Sequence, residues 1–289
     1  MSLPLPSSLS PSKVSSFKDC ALAFRFSAID KLPEPPSAPA TKGTLVHRAL
    51  QLLFWDEPQG GRTLPVALAK LERAKAELDD DPEFTGLELS DEEREAFYAE
   101  AGGLVRKYFE LEDPNEVRVI GTEIQLSVQL GTLLLRGIID RLELDDDGEL
   151  VVTDYKTGRA PSEPYERTRM SGVHFYAFLC ERVLGRRPAR VQLLHLQEPV
   201  AISTVPSDQS IRAMELRTRA IWTAVERACA VDDFRPRPGR LCDFCSFKSL
   251  CPAWGGSIDL VSQFKVEARM AAAGQDPLFD AVTPAAIAG

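Results

Sequence analysis

GIIDRLELDDDGELVVTDYKTG, residues 137–158, is the stretch on which the reading of the fold turns. Apolar and β-branched residues flank an Asp-Asp-Asp-Gly turn, and the surrounding pattern predicts two strands, 132–144 and 149–156, joined as a hairpin. Side chains alternate along a strand, so Asp154 and Lys156 share a side with Val152, while Val151, Thr153 and Tyr155 point the other way. An odd-numbered connection centred on Asp147 sets Asp140 opposite Asp154; an even one turns Asp140 to the reverse face. In the odd register the two carboxylates face each other, with Cβ atoms about 4.5–5.5 Å apart. Lys156 then joins them.

Two carboxylates held this close repel unless something positive lies between them. Hard divalent cations such as Mg²⁺ or Mn²⁺ prefer oxygen ligands and fit such a pair. A cation there polarises a phosphate oxygen and makes hydroxide available near neutral pH, and a nearby ammonium stabilises the charge that builds up on phosphorus. On spacing alone, an ordinary solvated hairpin fits the same residues.

Outward from the hairpin, SPSKVSSFKDCALAFRFSAI reads as one helix over 10–29, with Ser12 as N-cap and Val14, Phe17, Leu22 and Phe26 as its apolar positions. KLPEPPSAPA follows as a loop, then helix over TLVHRALQLLFW, 65–78 and 91–110. Strand 117–129 precedes the hairpin; after it come a helix at 168–184, strands at 189–197 and 200–204, and a helix at 207–230. This order predicts an α/β (α+β) fold, a mixed β-sheet flanked by helices. The expected organisation is a mainly helical part over 1–115, a core over 116–230, a cysteine segment over 231–256 and a loosely ordered tail over 257–289, all within one domain.

The 289 residues carry a net charge of −9, but eleven acidic residues against Arg94 alone lie between Glu77 and Glu100. That one segment accounts for the whole excess, so the total does not exclude a nucleic-acid partner. Basic clusters stand elsewhere, at Arg186, Arg187 and Arg190 and at Arg235, Arg237 and Arg240. No run is long and apolar enough to span a membrane, and the first residues lack a secretory pattern, so a cytoplasmic protein is expected. In that reducing setting six cysteines argue for thiols or metal ligands. Cys180 and Cys229 sit alone in helical segments and are expected in the core. Cys242-x2-Cys245-x5-Cys251 and the distant Cys20 make an all-thiolate set that suits zinc or an iron–sulfur cluster, a staple across most of the chain.

Gly137-Ile138-Ile139-Asp140-Arg141 followed by Asp154-Tyr155-Lys156-Thr157-Gly158 resembles the signature of the PD-(D/E)xK nuclease superfamily, specifically RecB-family exonucleases. The resemblance implies a restriction-endonuclease-like sheet between helices. It implies that Asp140 and Asp154 bind Mg²⁺ or Mn²⁺ with the Tyr155 backbone carbonyl, and that Lys156 is catalytic. It also makes His47, in the setting Gly43-x-x-x-His47, a metal ligand rather than a structural histidine, and Glu123 a candidate for a second metal or an outer carboxylate. Tyr176 matches an auxiliary tyrosine of the family, but Gly172 stands where relatives carry a Gln; His174 and Arg169 are the polar residues nearby. The one-plus-three cysteine pattern resembles iron–sulfur members of the family, AddB-type and CRISPR-associated, which implies a [4Fe-4S] cluster on Cys20, Cys242, Cys245 and Cys251, with Zn²⁺ as the alternative. The implied activity is exonucleolytic cleavage of DNA, single-stranded or at duplex ends, in repair or recombination. No GxxxxGK[ST] motif is present, so a helicase would be a separate partner. The competing reading is a non-cleaving DNA-binding module with a structural cluster; the joint presence of His47, Asp140, Asp154 and Lys156 argues against it. A metal-dependent RNase is a third.

Overall fold

The computed structural model describes residues 2–160 and 163–265, without the side chains of 163–171. Of the tail expected beyond Trp254, residues 266–289 lie outside the described residues. Backbone packing divides the chain into two units, one of Met1–Pro6, Lys13–Pro35 and Ala224–Gly289, the other of Ser7–Ser12 and Pro36–Thr223.

The helix expected over 10–29 is broken. Helix α1 (Pro11–Asp19) starts on a proline, whose missing N–H costs nothing in a first turn, so Ser12 is inside the helix rather than capping it. Cys20 is extended (φ −158°, ψ 110°), and the chain resumes as α2 (Ala21–Phe24) and a π-turn at Arg25–Ile29. Within this unit Phe24, Phe26, Phe234, Phe247 and Leu250 are buried. The buried Arg25 is neutralised by Asp30 (3.0 Å) and Asp232 (2.7 Å).

The larger unit holds α3 (Ala38–Asp56), α4 (Leu64–Leu78), α5 (Pro82–Thr85) and α6 (Asp91–Leu111). Helix α3 begins inside the proline-rich stretch expected as a loop, since Pro39 falls in its first turn. Helix α6 is started by a capping box between Ser90 and Glu93, which satisfies amides the helix cannot. The buried residues of these helices recur three and four apart: Leu45, Val46, Ala49, Leu50 and Leu53 on α3, Ala67, Leu71, Ala74 and Leu78 on α4, Ala101, Leu104, Val105 and Tyr108 on α6. They form one apolar cluster with Tyr155 and Leu194 from the sheet and Leu196 just beyond β4.

The sheet is mixed, with strands in the order β1 (Arg118–Leu130), β2 (Leu133–Leu144), β3 (Leu150–Lys156), β4 (Arg190–His195) and β5 (Val200–Thr204). Only β3 and β4 run parallel, joined by the crossover helix α7 (Glu163–Leu184); helix α8 (Asp208–Val231) follows β5. This is the expected α/β fold, a mixed five-stranded sheet with helices against it. Only residues 141–144 of β2 pair with β3, and further along β2 Leu9 forms a bridge to Leu135 instead.

Candidate active site

The turn decides the geometry. Leu144 pairs with Leu150, so the connection has the odd register centred on Asp147, closed by Gly148 at φ +77° and by its amide donating to the Asp145 carbonyl. The ladder then stops at Arg141–Thr153, one step before Asp140 would meet Asp154. At that step the Asp140 carboxylate accepts the Tyr155 N–H at 2.7 Å, doing the work of a strand carbonyl. Asp140 and Asp154 thus line one cleft of about 920 Å³ together with His47, Glu123, Lys156 and Tyr176.

Helix α3 delivers His47. A β-carbon on Gly43, one turn earlier, would lie 3.2 Å from Thr157 Oγ1 just beyond β3, so the helix passes closely there because residue 43 has no side chain. His47 Nε2 lies 3.2 Å from the Tyr155 carbonyl oxygen. The tautomer that donates to that carbonyl leaves the Nδ1 lone pair facing Asp140 (3.6 Å) and Glu123 (4.0 Å). Glu123 reaches them from β1 with φ +50°, a left-handed backbone that costs a non-glycine residue roughly 1–3 kcal/mol. Donor atoms of His47, Glu123 and Asp140 all lie within 4.8 Å of one another, a grouping no other His, Cys, Asp or Glu set meets among the described residues. Beside them, Asp154 Oδ2 is buried and ion-paired with Lys156 but accepts no hydrogen bond.

The charges here are held at a cost. Burial, and then the neighbouring Asp154, push the Asp140 carboxyl up to about 8. The same two causes raise Glu123. Burial lowers His47 against the pull of Asp154, which keeps the imidazole neutral and able to ligate. Neutral imidazole with clustered carboxylates is a donor set that fits a hard divalent cation.

Tyr176 comes from α7. A β-carbon on Gly137 would fall 2.7 Å from Leu179 Cδ1 and 3.3 Å from the Tyr176 ring, so this glycine lets α7 lie against β2. The Tyr176 hydroxyl donates to Asp154, and burial, followed by the charges of Asp154 and Asp140, holds its own proton tightly. Gly172 is exposed, with open space where a side chain would project. His174 does not replace a glutamine in the cleft, because its Nδ1 lies 3.3 Å from Ser210 Oγ; the Arg169 side chain lies outside the described residues.

Sequence reasoning missed a second polar cluster beneath the site. Arg141, fully buried next to Asp140, pairs with Glu112 and Glu143 and donates to Tyr155 Oη (3.0 Å) and Tyr108 Oη (3.2 Å). Gln192 on β4 closes the cluster through Thr153 Oγ1 at 2.7 Å. Strand alternation places Arg141, Glu143, Thr153 and Tyr155 in one group; Glu112, from beyond α6, leaves no such signal.

In the smaller unit, Cys20, Cys242, Cys245 and Cys251 come together closely enough that, after burial, each of the other three raises the Cys245 thiol. The Cys20 sulfur accepts the Arg237 N–H (3.4 Å) and that of Cys242 accepts the Gly239 N–H (3.3 Å). Cys180 and Cys229 are buried.

The model of the PD-(D/E)XK nuclease superfamily matches residues 8–252. The chain belongs to that superfamily. Its match covers both acidic strands, the His47 helix and all four clustered cysteines. Membership of the PD-(D/E)XK superfamily makes this a nuclease of the metal-dependent type. The chain is 25% identical over 270 residues to the Gene 69 protein of Mycobacterium phage D29, covering 85% of this chain and 96% of that one. Among solved structures it is similar to SSO0001 (TM-score 0.40, 12% identity, 86% of each chain) and to a candidate exonuclease from Eubacterium rectale (TM-score 0.48, 11% identity, 83% of this chain and 87% of that one). No described helix is long and apolar enough to cross a membrane.

Proposed function

We propose that this chain is a Mg²⁺- or Mn²⁺-dependent deoxyribonuclease that works as an exonuclease on single strands or duplex ends, in DNA repair or recombination. The observation that carries the reading is the convergence of His47, Glu123 and Asp140 beside the buried, Lys156-paired carboxylate of Asp154. When bound, the cation supplies Lewis-acid polarisation of a phosphate oxygen and charge compensation for the acids. His47, Asp140 and Asp154 hold it, with the Tyr155 carbonyl and Glu123 as further oxygens. The Asp140 carboxylate is aimed by the Tyr155 amide, and Tyr176 orients Asp154. Lys156, 40% exposed and paired with Asp154, reaches the phosphate and orients the attacking water. The water oxygen bonds to phosphorus as the P–O3′ bond breaks, leaving a 5′-phosphate and a 3′-hydroxyl.

The four cysteines hold a [4Fe-4S] cluster in this reading, with zinc as the alternative. Support comes from their convergence from both ends of the chain. Anaerobically purified protein is expected to be brown and to lose its colour on Cys20→Ser; a colourless, zinc-loaded protein overturns the assignment. The chain acts alone or supplies its nuclease activity to a helicase, the proposed partner, since it carries no GxxxxGK[ST] motif of its own.

The test of the activity is Mn²⁺-dependent digestion of end-labelled single-stranded DNA by the wild type, Asp154→Asn and Lys156→Ala. Stepwise digestion confined to the wild type supports the reading. DNA binding without digestion favours a non-cleaving module, and digestion of RNA alone an RNase.

A further inference from the structure

The cleft does not end at the carboxylates. From Asp140 it continues along β2 past Ile138 to Arg136, and along the paired residues of β1 past Gln125 to Ser127. Gln125, Ser127, Arg136 and Ile138 are all exposed, and Ile138, at 46% exposure, offers an apolar surface halfway along. The two ends differ in sign. One end gathers Glu123, Asp140 and Asp154, and the other carries a single guanidinium flanked by uncharged Ser127 and Gln125.

Arg136 is the arginine that lines this cleft, and no carboxylate pairs with it among the described residues. Its backbone is anchored, with the N–H donating to the Leu9 carbonyl at 2.9 Å. An unpaired guanidinium on a fixed strand inside a cleft is arranged to meet an anion from outside. A planar fork of donors suits a phosphodiester in particular.

We infer that Arg136 binds a phosphate of the same polynucleotide strand that is cut, about two nucleotides from the scissile phosphate. Four residues of strand span about 13 Å, roughly two backbone repeats of an extended single strand. The charged contacts form one row, so the cleft holds one strand of DNA. Its backbone runs from the acidic end to Arg136, with a sugar or base against Ile138. Arg136 is therefore a residue of substrate length and register. This inference rests on the nuclease reading above for the identity of the strand.

The experiment uses the full chain carrying Asp154→Asn, with and without Arg136→Ala or Arg136→Lys, and measures binding of fluorescein-labelled single-stranded DNA across a salt series. Loss of one phosphate contact is expected to weaken binding about tenfold and to reduce the slope of log K against log salt by roughly 0.7 for Arg136→Ala, with the slope retained in Arg136→Lys. In parallel, kcat/KM of the otherwise wild-type chain is followed as oligonucleotides are lengthened one phosphate at a time on either side of the cut. The wild type is expected to gain about tenfold at a single length, and Arg136→Ala to lose that step. An unchanged salt slope, or a length step that survives Arg136→Ala, overturns the inference. A wild type that cuts nothing overturns the nuclease reading instead, and the binding slopes still decide the role of Arg136.

Discussion

Two polar clusters share one hairpin, built from neighbouring residues, and they are finished in opposite ways. Asp140, Asp154 and Lys156 open into the cleft; Arg141, Glu143, Thr153 and Tyr155 close against α6 and β4. The inner cluster is satisfied by protein alone. Its buried guanidinium meets two carboxylates and two phenols, and lies over the Phe54 ring at 4.9 Å. The outer cluster is not. Burial and mutual repulsion raise two of its acids, Asp140 and Glu123. A polar group inside a protein costs free energy until it is paired. The inner cluster supports the hairpin, and the proposed function has the outer one completed by a cation.

The comparison breaks most visibly when one member of each cluster is removed. Asp154→Asn is expected to cut DNA hydrolysis by roughly 10³-fold while the melting temperature stays within a few degrees. Arg141→Ala strands the buried Glu143 and should cost about 3–5 kcal/mol, a fall of roughly 10 °C by calorimetry. If Arg141→Ala leaves stability intact and Asp154→Asn unfolds the protein, the two roles are reversed.

Asp140 sharpens the comparison through pH. Its carboxyl in the folded protein, at about 8, lies above the ordinary 3.8, so folding takes up a proton and metal-free protein loses stability as pH rises between those values. Asp140→Asn removes that loss. In chelator at pH 8 the variant should melt about 3–6 °C above the wild type, with the gap shrinking toward pH 5. A gap that does not change with pH contradicts the assignment.

The smallest effect is expected at Gly137→Ala. The added methyl meets Leu179 and the Tyr176 ring, at a cost of about 1–2 kcal/mol. Turning Tyr176 away from Asp154 should lower cleavage about tenfold, measured as kcat on the single-stranded substrate.

Much of this was legible because it is local. Alternation separates Lys156 from Tyr155, while the turn leaves two registers open, and the structure takes the odd one that puts Asp140 on the side of Asp154. Gly43 and Gly137 read as motif letters until the structure shows what crosses them, Thr157 in one case and Tyr176 with Leu179 in the other. The left-handed backbone of Glu123 carries no sequence mark, since glutamate is a poor choice for it. Glu112 reaches Arg141, and Gln192 reaches Glu143, through tertiary packing that no periodicity encodes. The break at Cys20 escaped because its neighbours form a good helical pattern, while Cys20 itself is extended and turns its sulfur to the Arg237 amide.

The central claim is that the outer cluster is completed by a divalent ion. Calorimetric titration of Mn²⁺ into the wild type and Asp140→Asn tests it most directly. One ion per chain is expected on the wild type, with the heat lost in Asp140→Asn and a proton released on binding near pH 7. Equal Mn²⁺ binding by both proteins, or none by the wild type, would contradict the account.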